Sequence, residues 1–132
     1  MKTLKIGIMS YEEMKAYTMA IAKGEHRRKP GEPKIWFTSI QSFARVLSEQ
    51  NRELLALISQ ARPQSLQELE NLTGRKVSNL SRTLRKMEDY GIVTLERGKQ
   101  GRIRPHFPYT GFQLELPLPV SGEHGRNPVK AA

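Results

Sequence analysis

The 132-residue sequence contains no cysteine, a single tryptophan and no long run of apolar residues. The absence of cysteine excludes a disulfide scaffold, an iron–sulfur cluster and any zinc site built on thiolates. No window approaches the ~20 apolar residues that a membrane-spanning helix needs, and the first apolar run is far shorter than a signal-peptide core. We therefore expect a soluble, cytoplasmic protein that does not contact a membrane.

The sequence also lacks the residue constellations that common enzymes need. It has no cysteine nucleophile, no G-x-S-x-G elbow and no G-x-x-x-x-G-K-[ST] phosphate loop. Adjacent acidic residues, as at Glu88 and Asp89, point apart on a helix and so form no acid–base dyad. The histidines are far apart and are interpreted as surface residues: His26, His106 and His124. We expect no enzymatic activity, no metal and no cofactor.

Positive charge is abundant and is concentrated in one segment. The formal net charge is +9, and residues 75–104 alone carry nine basic and three acidic side chains. Two thirds of the excess therefore lies in thirty residues, as expected of a surface that meets a polyanion. The alternative interpretation is a charged face that is only solvated.

The first forty residues predict a strand, a helix and a second, short strand. Apolar and polar residues alternate in the first strand, whose buried side would hold Leu4, Ile6 and Ile8. Ser10 with Glu13 forms a capping box, which predicts a helix over residues 11–22. A polar loop rich in proline and glycine covers residues 25–33, and residues 35–37 form the short strand.

Three amphipathic helices are predicted next. Thr38 with Gln41 gives a second capping box, and the apolar spacing over residues 54–61 indicates the following helix. Ser65 with Glu68 gives a third capping box, which starts a short helix ending at a glycine. That short helix is expected to bury three leucines: Leu66, Leu69 and Leu72.

The helix predicted over residues 76–90 has two chemically different faces. The apolar face is expected to pack into the core and comprises Val77, Leu80, Leu84 and Met87. The opposite face offers hydrogen-bonding and cationic groups: Ser78, Asn79, Arg82 and Arg85, flanked by Ser81 and Lys86. An alternative is that Arg85 and Lys86 pair with Glu88 and Asp89 on the same helix.

A basic β-hairpin follows this helix, with strands over residues 92–97 and 102–107 joined by a turn at 98–101. Because Pro105 cannot donate to a ladder, the second strand must lie at an edge. The order of helix, helix, helix, strand, turn and strand is typical of an α+β winged helix-turn-helix domain. A last strand contains Phe112, Leu114 and Leu116, and a poorly ordered tail starts at Pro117.

The stretch SLQELENLTGRKVSNLSRTLRKMEDYGIVTLERG and its flanks, residues 51–104, resemble winged-helix transcriptional regulators of the MarR (multiple antibiotic resistance regulator) type. The matching positions are Ser78, Ser81, Arg82, Leu84, Glu88 and residues 91–93. The resemblance implies that helix 76–90 is the recognition helix and that residues 97–104 are the wing. The N-terminal strand and helix are similar to a smaller group of prokaryotic regulators, some of them antitoxin-like.

Two features depart from the MarR pattern. The turn at residues 98–102 lacks the acidic residue that usually stands two before an arginine. That family usually dimerises through long helices at both termini, whereas the C-terminus after Gly111 looks like a strand and a loose tail. We expect a homodimer formed instead through edge strands at residues 3–9 and 111–116. The expected organisation is a strand–helix extension and basic loop, a winged-helix domain, and a C-terminal strand with a flexible tail: 1–34, 35–107 and 108–132.

The predicted DNA contacts fall into three groups. Base contacts are assigned to Ser78, Asn79, Arg82 and Arg85. Backbone contacts are assigned to Arg75, Lys76, Ser81 and Lys86, and wing contacts to Arg97, Lys99, Arg102 and Arg104. Arginine can span guanine O6 and N7, and asparagine can span adenine N6 and N7. The sequence thus predicts a transcriptional regulator, specifically a repressor, that reads the major groove of double-stranded DNA.

Parts of the sequence are also compatible with partners other than DNA. An antitoxin-like winged helix could instead bind a protein such as a toxin, using Trp36, Phe37 and the loop at residues 26–29, although the two aromatic residues also suit a core. RNA readers stack bases on exposed aromatics, and the basic segment offers only Tyr90. The wing arginines could also serve only to protect an edge strand from aggregation.

Overall fold

The structure is a computed structural model that describes residues 2–27 and 30–118. The elements are β1 (Thr3–Ile8), α1 (Tyr11–Ala22), β2 (Ile35–Phe37), α2 (Ile40–Val46), α3 (Glu49–Ala61), α4 (Leu66–Thr73), α5 (Val77–Tyr90), β3 (Thr94–Arg97), β4 (Ile103–His106) and β5 (Gly111–Glu115). The predicted α+β class is confirmed. Within the described ranges no helix is long and apolar enough to cross a bilayer. Most of the predicted tail, from residue 119 on, lies outside the described residues.

The chain divides into two compact units. The sheet unit contains the described residues 3–27, 30–44 and 112–118, and the helical unit contains residues 45–111 together with Lys2. These boundaries differ from the predicted ones at residues 35 and 108. The reason is strand pairing, because β2 and β5 both join β1 in one sheet.

The sheet unit is built on a three-stranded sheet in the order β2-β1-β5. β1 and β2 are parallel, with Ile6 opposite Ile35 and Ile8 opposite Phe37, so a crossover connection containing α1 must join them. Because β1 has a neighbour on each side, it is an interior strand. The expectation that residues 3–9 provide a free edge is therefore wrong, whereas β5 does lie at an edge.

The loop after α1 is anchored by a half-buried acid. The hydroxyl of Tyr17 donates to Glu32 Oε2 at 2.7 Å, and Nε2 of His26 lies 3.1 Å from Glu32 Oε1. The rings of Tyr17 and Trp36 meet edge to face with centroids 5.7 Å apart. His26 is thus half-buried and paired, not the surface residue expected from its polar neighbourhood, whereas His106 is exposed.

Serine side chains cap three of the helices at the predicted residue or one residue away from it. The hydroxyls of Ser10 and Ser65 accept from the backbone N–H of Glu13 and Glu68, which confirms both serines as the N-caps of their helices. The start of α2 differs by one residue, since Ser39 rather than Thr38 accepts from the amide three positions on. A capping serine works only where the backbone turns into the helix, and two adjacent hydroxyl residues are equivalent in sequence.

The helical unit has a core of aliphatic residues from α3, α4, α5 and the β3–β4 hairpin. Leu69, Leu80, Leu84 and Met87 are fully buried. Leu72 is 49% exposed, so the predicted three-leucine stripe of α4 ends one leucine early. Leu72 lies in the last turn of α4, whose buried residues are Leu66 and Leu69.

The hairpin is antiparallel and two-stranded, with Leu95 opposite Pro105. Both strands are edges of this small sheet, so the missing N–H of Pro105 interrupts no interior ladder, as predicted. The turn over Lys99–Gly101 is not a regular helix, because Gln100 and Gly101 both have positive φ.

Replacement of Gly7 by alanine should destabilise the protein by about 1 to 3 kcal/mol through overpacking. A Cβ at this position would lie 2.2 Å from the Trp36 ring, so the indole would have to move. Denaturant unfolding measures the effect. Gly98→Ala is the control, because its Cβ would lie 3.8 Å from the nearest atom and its φ is negative. Equal midpoints for the two variants would contradict this packing.

Candidate nucleic-acid interface

The outward face of α5 is polar and exposed along its length. Ser78, Asn79, Arg82, Arg85 and Lys86 are exposed, and Ser81 is half-buried. The opposite face is buried through its leucines and Met87, because apolar residues recur every three or four positions. Helix geometry and burial together therefore present the predicted base-contacting groups on one surface.

Glu70 on α4 fixes the start of α5. Its Oε2 accepts from the backbone N–H of Val77 at 3.0 Å, while its Oε1 accepts from Gln67. α5 has no cap of its own, since the side chain of Lys76 makes no capping bond. A carboxylate is a favourable group at a helix N-terminus, where free N–H groups and the helix dipole both attract it. Glu70 therefore ties the two helices together.

A three-residue connection joins α4 to α5. Gly74 adopts a left-handed conformation with φ of 77° and closes α4. Arg75 follows, and its backbone N–H donates to Thr73 Oγ1 at 3.1 Å. Lys76 is exposed at the first boundary of α5, where its carbonyl accepts from Leu80.

The side chain of Arg75 is half-buried and bonded to three neighbours. Nε donates to Asn79 Oδ1 at 2.9 Å, one terminal nitrogen to Asn51 Oδ1 at 3.3 Å and the other to Thr83 Oγ1 at 3.2 Å. Asn51 is itself oriented by donating from Nδ2 to the carbonyl of Val46. Arg75 thus links α3 to two successive turns of α5.

The four hairpin cations are of two kinds. Arg97 forms two hydrogen bonds of 3.2 Å with Glu88 at the end of α5, and Arg104 pairs with Glu96 across the hairpin. Lys99 and Arg102 form no ion pair among the described residues. The charges of these two, at the turn, are the ones left for another partner.

The pair between Glu88 and Arg97 changes the acidity of both groups. Hydrogen bonds from Arg97 hold the pKa of the Glu88 carboxyl below its ordinary value, with a smaller contribution from Arg85, and the pKa of Arg97 is raised in return. The carboxylate of Glu88 is therefore paired with Arg97 of the hairpin. In the described residues neither Arg85 nor Lys86 forms an ion pair within 4 Å. The alternative, in which these two cations pair with Glu88 and Asp89 on the same helix, is therefore not observed.

The predicted DNA-contacting residues line two different grooves. A groove of about 390 Å³ lies between the start of α4, α5 and the hairpin turn, and its lining includes Ser81, Lys99 and Arg102. Arg104 instead lines a groove of about 550 Å³ together with Arg62. The structure therefore brings the flank of α5 together with the tip of the hairpin, and Arg104 belongs to another surface.

Several residues that shape this surface carried no recognised signal in the sequence. Glu70, Asn51 and Thr83 act on groups 7 to 24 positions away. Helical spacing detects partners only three or four positions apart, and the capping-box pattern covers only the helix to which it belongs. Arg75 and Asn79 do have that spacing, so this contact alone could have been inferred.

The described part of the chain contains no group of three or more histidine, aspartate or glutamate side chains that could hold a metal ion. Residues 46–114, just over half of the chain, match the model of the HVO_A0114 family. No curated protein and no solved structure shows a significant match. The matching family has no MarR-type name, so the resemblance to those regulators stays a prediction.

Loss of the Glu88 carboxylate should lower thermal stability at neutral pH and have no effect in acid. Because the folded-state pKa of Glu88 lies below its ordinary value of 4.5, the pair stabilises fully above that value. Its contribution is lost as the pH falls through the lowered pKa. Melting temperatures of Glu88→Gln and wild type should therefore differ at pH 7 and converge once the pH is well below the lowered pKa.

Asp89→Asn is the matched control for this experiment. Asp89 is adjacent, exposed and forms no ion pair among the described residues, so its replacement should change the melting temperature less at pH 7. A Glu88→Gln difference that persists unchanged in acid would show that the pair with Arg97 is not its cause.

Proposed function

We propose that this chain, which belongs to the HVO_A0114 family, is a sequence-specific double-stranded DNA-binding protein that represses transcription where its site overlaps a promoter. In this proposal α3, α4 and α5 with the β3–β4 hairpin form a winged helix. α5 is the recognition helix in the major groove, and the hairpin turn contacts the backbone or the adjacent minor groove.

The observation that carries this proposal is the chemistry of the exposed face of α5. Side chains that can donate to base edges, those of Asn79, Arg82 and Arg85, project from one helix face whose opposite side is buried. Base edges in the major groove are recognised by such donors, and a helix fits the width of that groove. Serines at positions 78 and 81 can bond phosphates or bases at short range.

The connection between α4 and α5 supports the same proposal. A short helix, three connecting residues that include a left-handed glycine and a longer polar-faced helix are the elements of a helix-turn-helix. Glu70 links α4 to α5, and the side chain of Arg75 links α5 to α3. A recognition helix must be held at a fixed orientation to its neighbours. The phosphate contacts that these neighbours make then set the register of the helix in the groove.

Phosphate neutralisation would supply most of the affinity. Exposed Lys76 and Lys86 stand on α5, and Lys99 and Arg102 stand at the hairpin turn. Each cation that meets a phosphate releases condensed counterions, so the binding constant should fall steeply with salt. Arg97 and Arg104, which are paired with acids, should contribute less.

Fluorescence anisotropy tests the function directly. The labelled duplex comes from upstream of the protein's own gene, a shuffled duplex is measured beside it, and the salt concentration is varied. The proposal predicts a preference for the native duplex that persists at raised salt. Weak and equal binding that vanishes with salt would contradict it and would favour the protein-binding alternative.

Arg82→Ala should weaken binding to the specific duplex about 5- to 150-fold and reduce discrimination against the shuffled one, as the loss of a bidentate base contact does. The control is Lys15→Ala, which removes one exposed charge from α1 in the other unit. An equal loss on both duplexes would mean that Arg82 contacts phosphate only.

A homodimer is part of the proposal, because two-fold symmetry lets one helix read each half of a palindromic site. β5 is an edge strand whose Leu114 is 45% exposed, so a second copy can pair with it. Sedimentation at micromolar concentration should give a dimer, and Leu114→Lys should dissociate it. A monomeric wild type would refute the dimer and leave DNA binding to its own test.

A further inference from the structure

Asn79 does not stand alone on the outward face of α5. Its Oδ1 accepts a 2.9 Å hydrogen bond from Nε of Arg75, one turn earlier. The same guanidinium is held in place by Asn51 on α3 and by Thr83 on the next turn of α5. Three of its five N–H groups are therefore used in one fixed arrangement.

This arrangement determines which way the Asn79 amide points. A guanidinium has only donors, so it stabilises the orientation in which the carbonyl oxygen of Asn79 faces it. Rotation of the amide by a half turn would direct an NH₂ group at another N–H. The NH₂ group, which is a donor, therefore points away from Arg75, while one of the two lone pairs of Oδ1 is used by the guanidinium.

From this geometry we propose that Arg75 is a positioning residue that presents Asn79 as a donor and so sets the base that Asn79 prefers. This inference rests on the proposed DNA-binding function. It departs from the sequence-based assignment of Arg75 to the DNA backbone. It also departs from the expectation that Asn79 spans adenine N6 and N7, a contact in which N6 would have to share Oδ1 with Arg75.

The chemistry of the base edges identifies the preferred partner. Adenine presents one acceptor and one donor in the major groove, whereas guanine presents two acceptors, N7 and O6. An amide held with its NH₂ group outward matches guanine, whereas the N6 donor of adenine would have to share Oδ1 with the guanidinium of Arg75, which weakens that oxygen as an acceptor. The positive charge of Arg75 also polarises the amide, which strengthens its N–H donors.

Binding to duplexes that carry each of the four base pairs in turn at every position of the site tests the proposal. Wild type should prefer guanine over adenine about tenfold at one position, and Asn79→Ala should abolish that preference. Arg75→Lys keeps the charge but cannot span three acceptors. It should therefore lose the same preference at the same position, while the slope of affinity against salt stays unchanged.

The opposite outcome has a distinct signature. If Arg75 contacted phosphate, Arg75→Lys would retain the base preference, and Arg75→Met would reduce the salt slope by about 0.9 on every duplex. That result would overturn the positioning role and leave DNA recognition intact. A wild type without preference at any position would overturn the proposed function as well, so the two failures are distinguishable.

A measurement without DNA separates positioning from a folding defect. The Nε–H resonance of Arg75 in an NMR spectrum should shift and exchange faster with water in Asn79→Ala. Thr83→Val removes a different acceptor of the same guanidinium, so its melting temperature reports the structural cost of losing one of the three hydrogen bonds. An unchanged Arg75 signal in Asn79→Ala would show that the hydrogen bond is absent in solution.

Discussion

The burial of one face of α5 determines which side chains of this helix face outward. Leu80, Leu84 and Met87 are 0% exposed, so the helix cannot rotate about its axis without uncovering them. Burying such side chains stabilises a protein by about 1.5 to 3 kcal/mol each. The polar residues between them are thereby held outward at fixed spacing, and the surface they form follows from the core.

Acidic residues organise the positive surface by holding particular cations in place. Glu70 accepts from the first turn of α5, and Glu88 and Glu96 are paired with Arg97 and Arg104. Within residues 76–104, the cations without such partners stand along α5 and its start and at the hairpin turn. Net charge alone would not distinguish these sets, although only the unpaired set can neutralise phosphate without first breaking an ion pair.

Local signals predicted much of the fold, and contacts between distant residues account for the rest. Ser65 and Gly74 bound α4 as expected, because caps act on groups within one turn. The parallel pairing of β1 with β2 was not predicted, since alternation indicates a strand but not its neighbour. The exposed face of α5 followed from periodicity, whereas its support by Glu70 and Asn51 depends on how helices pack.

The central claim is that the outward face of α5 and the tip of the hairpin form one DNA-contacting surface. Mapping of backbone amide resonances during titration with the duplex from upstream of the gene tests it most directly. If these residues form one DNA-contacting surface, the largest chemical-shift changes fall at residues 76–86 and 99–102, with little change over β1, α1 and β2. Shifts confined to the sheet unit, or none at saturating duplex, would contradict it.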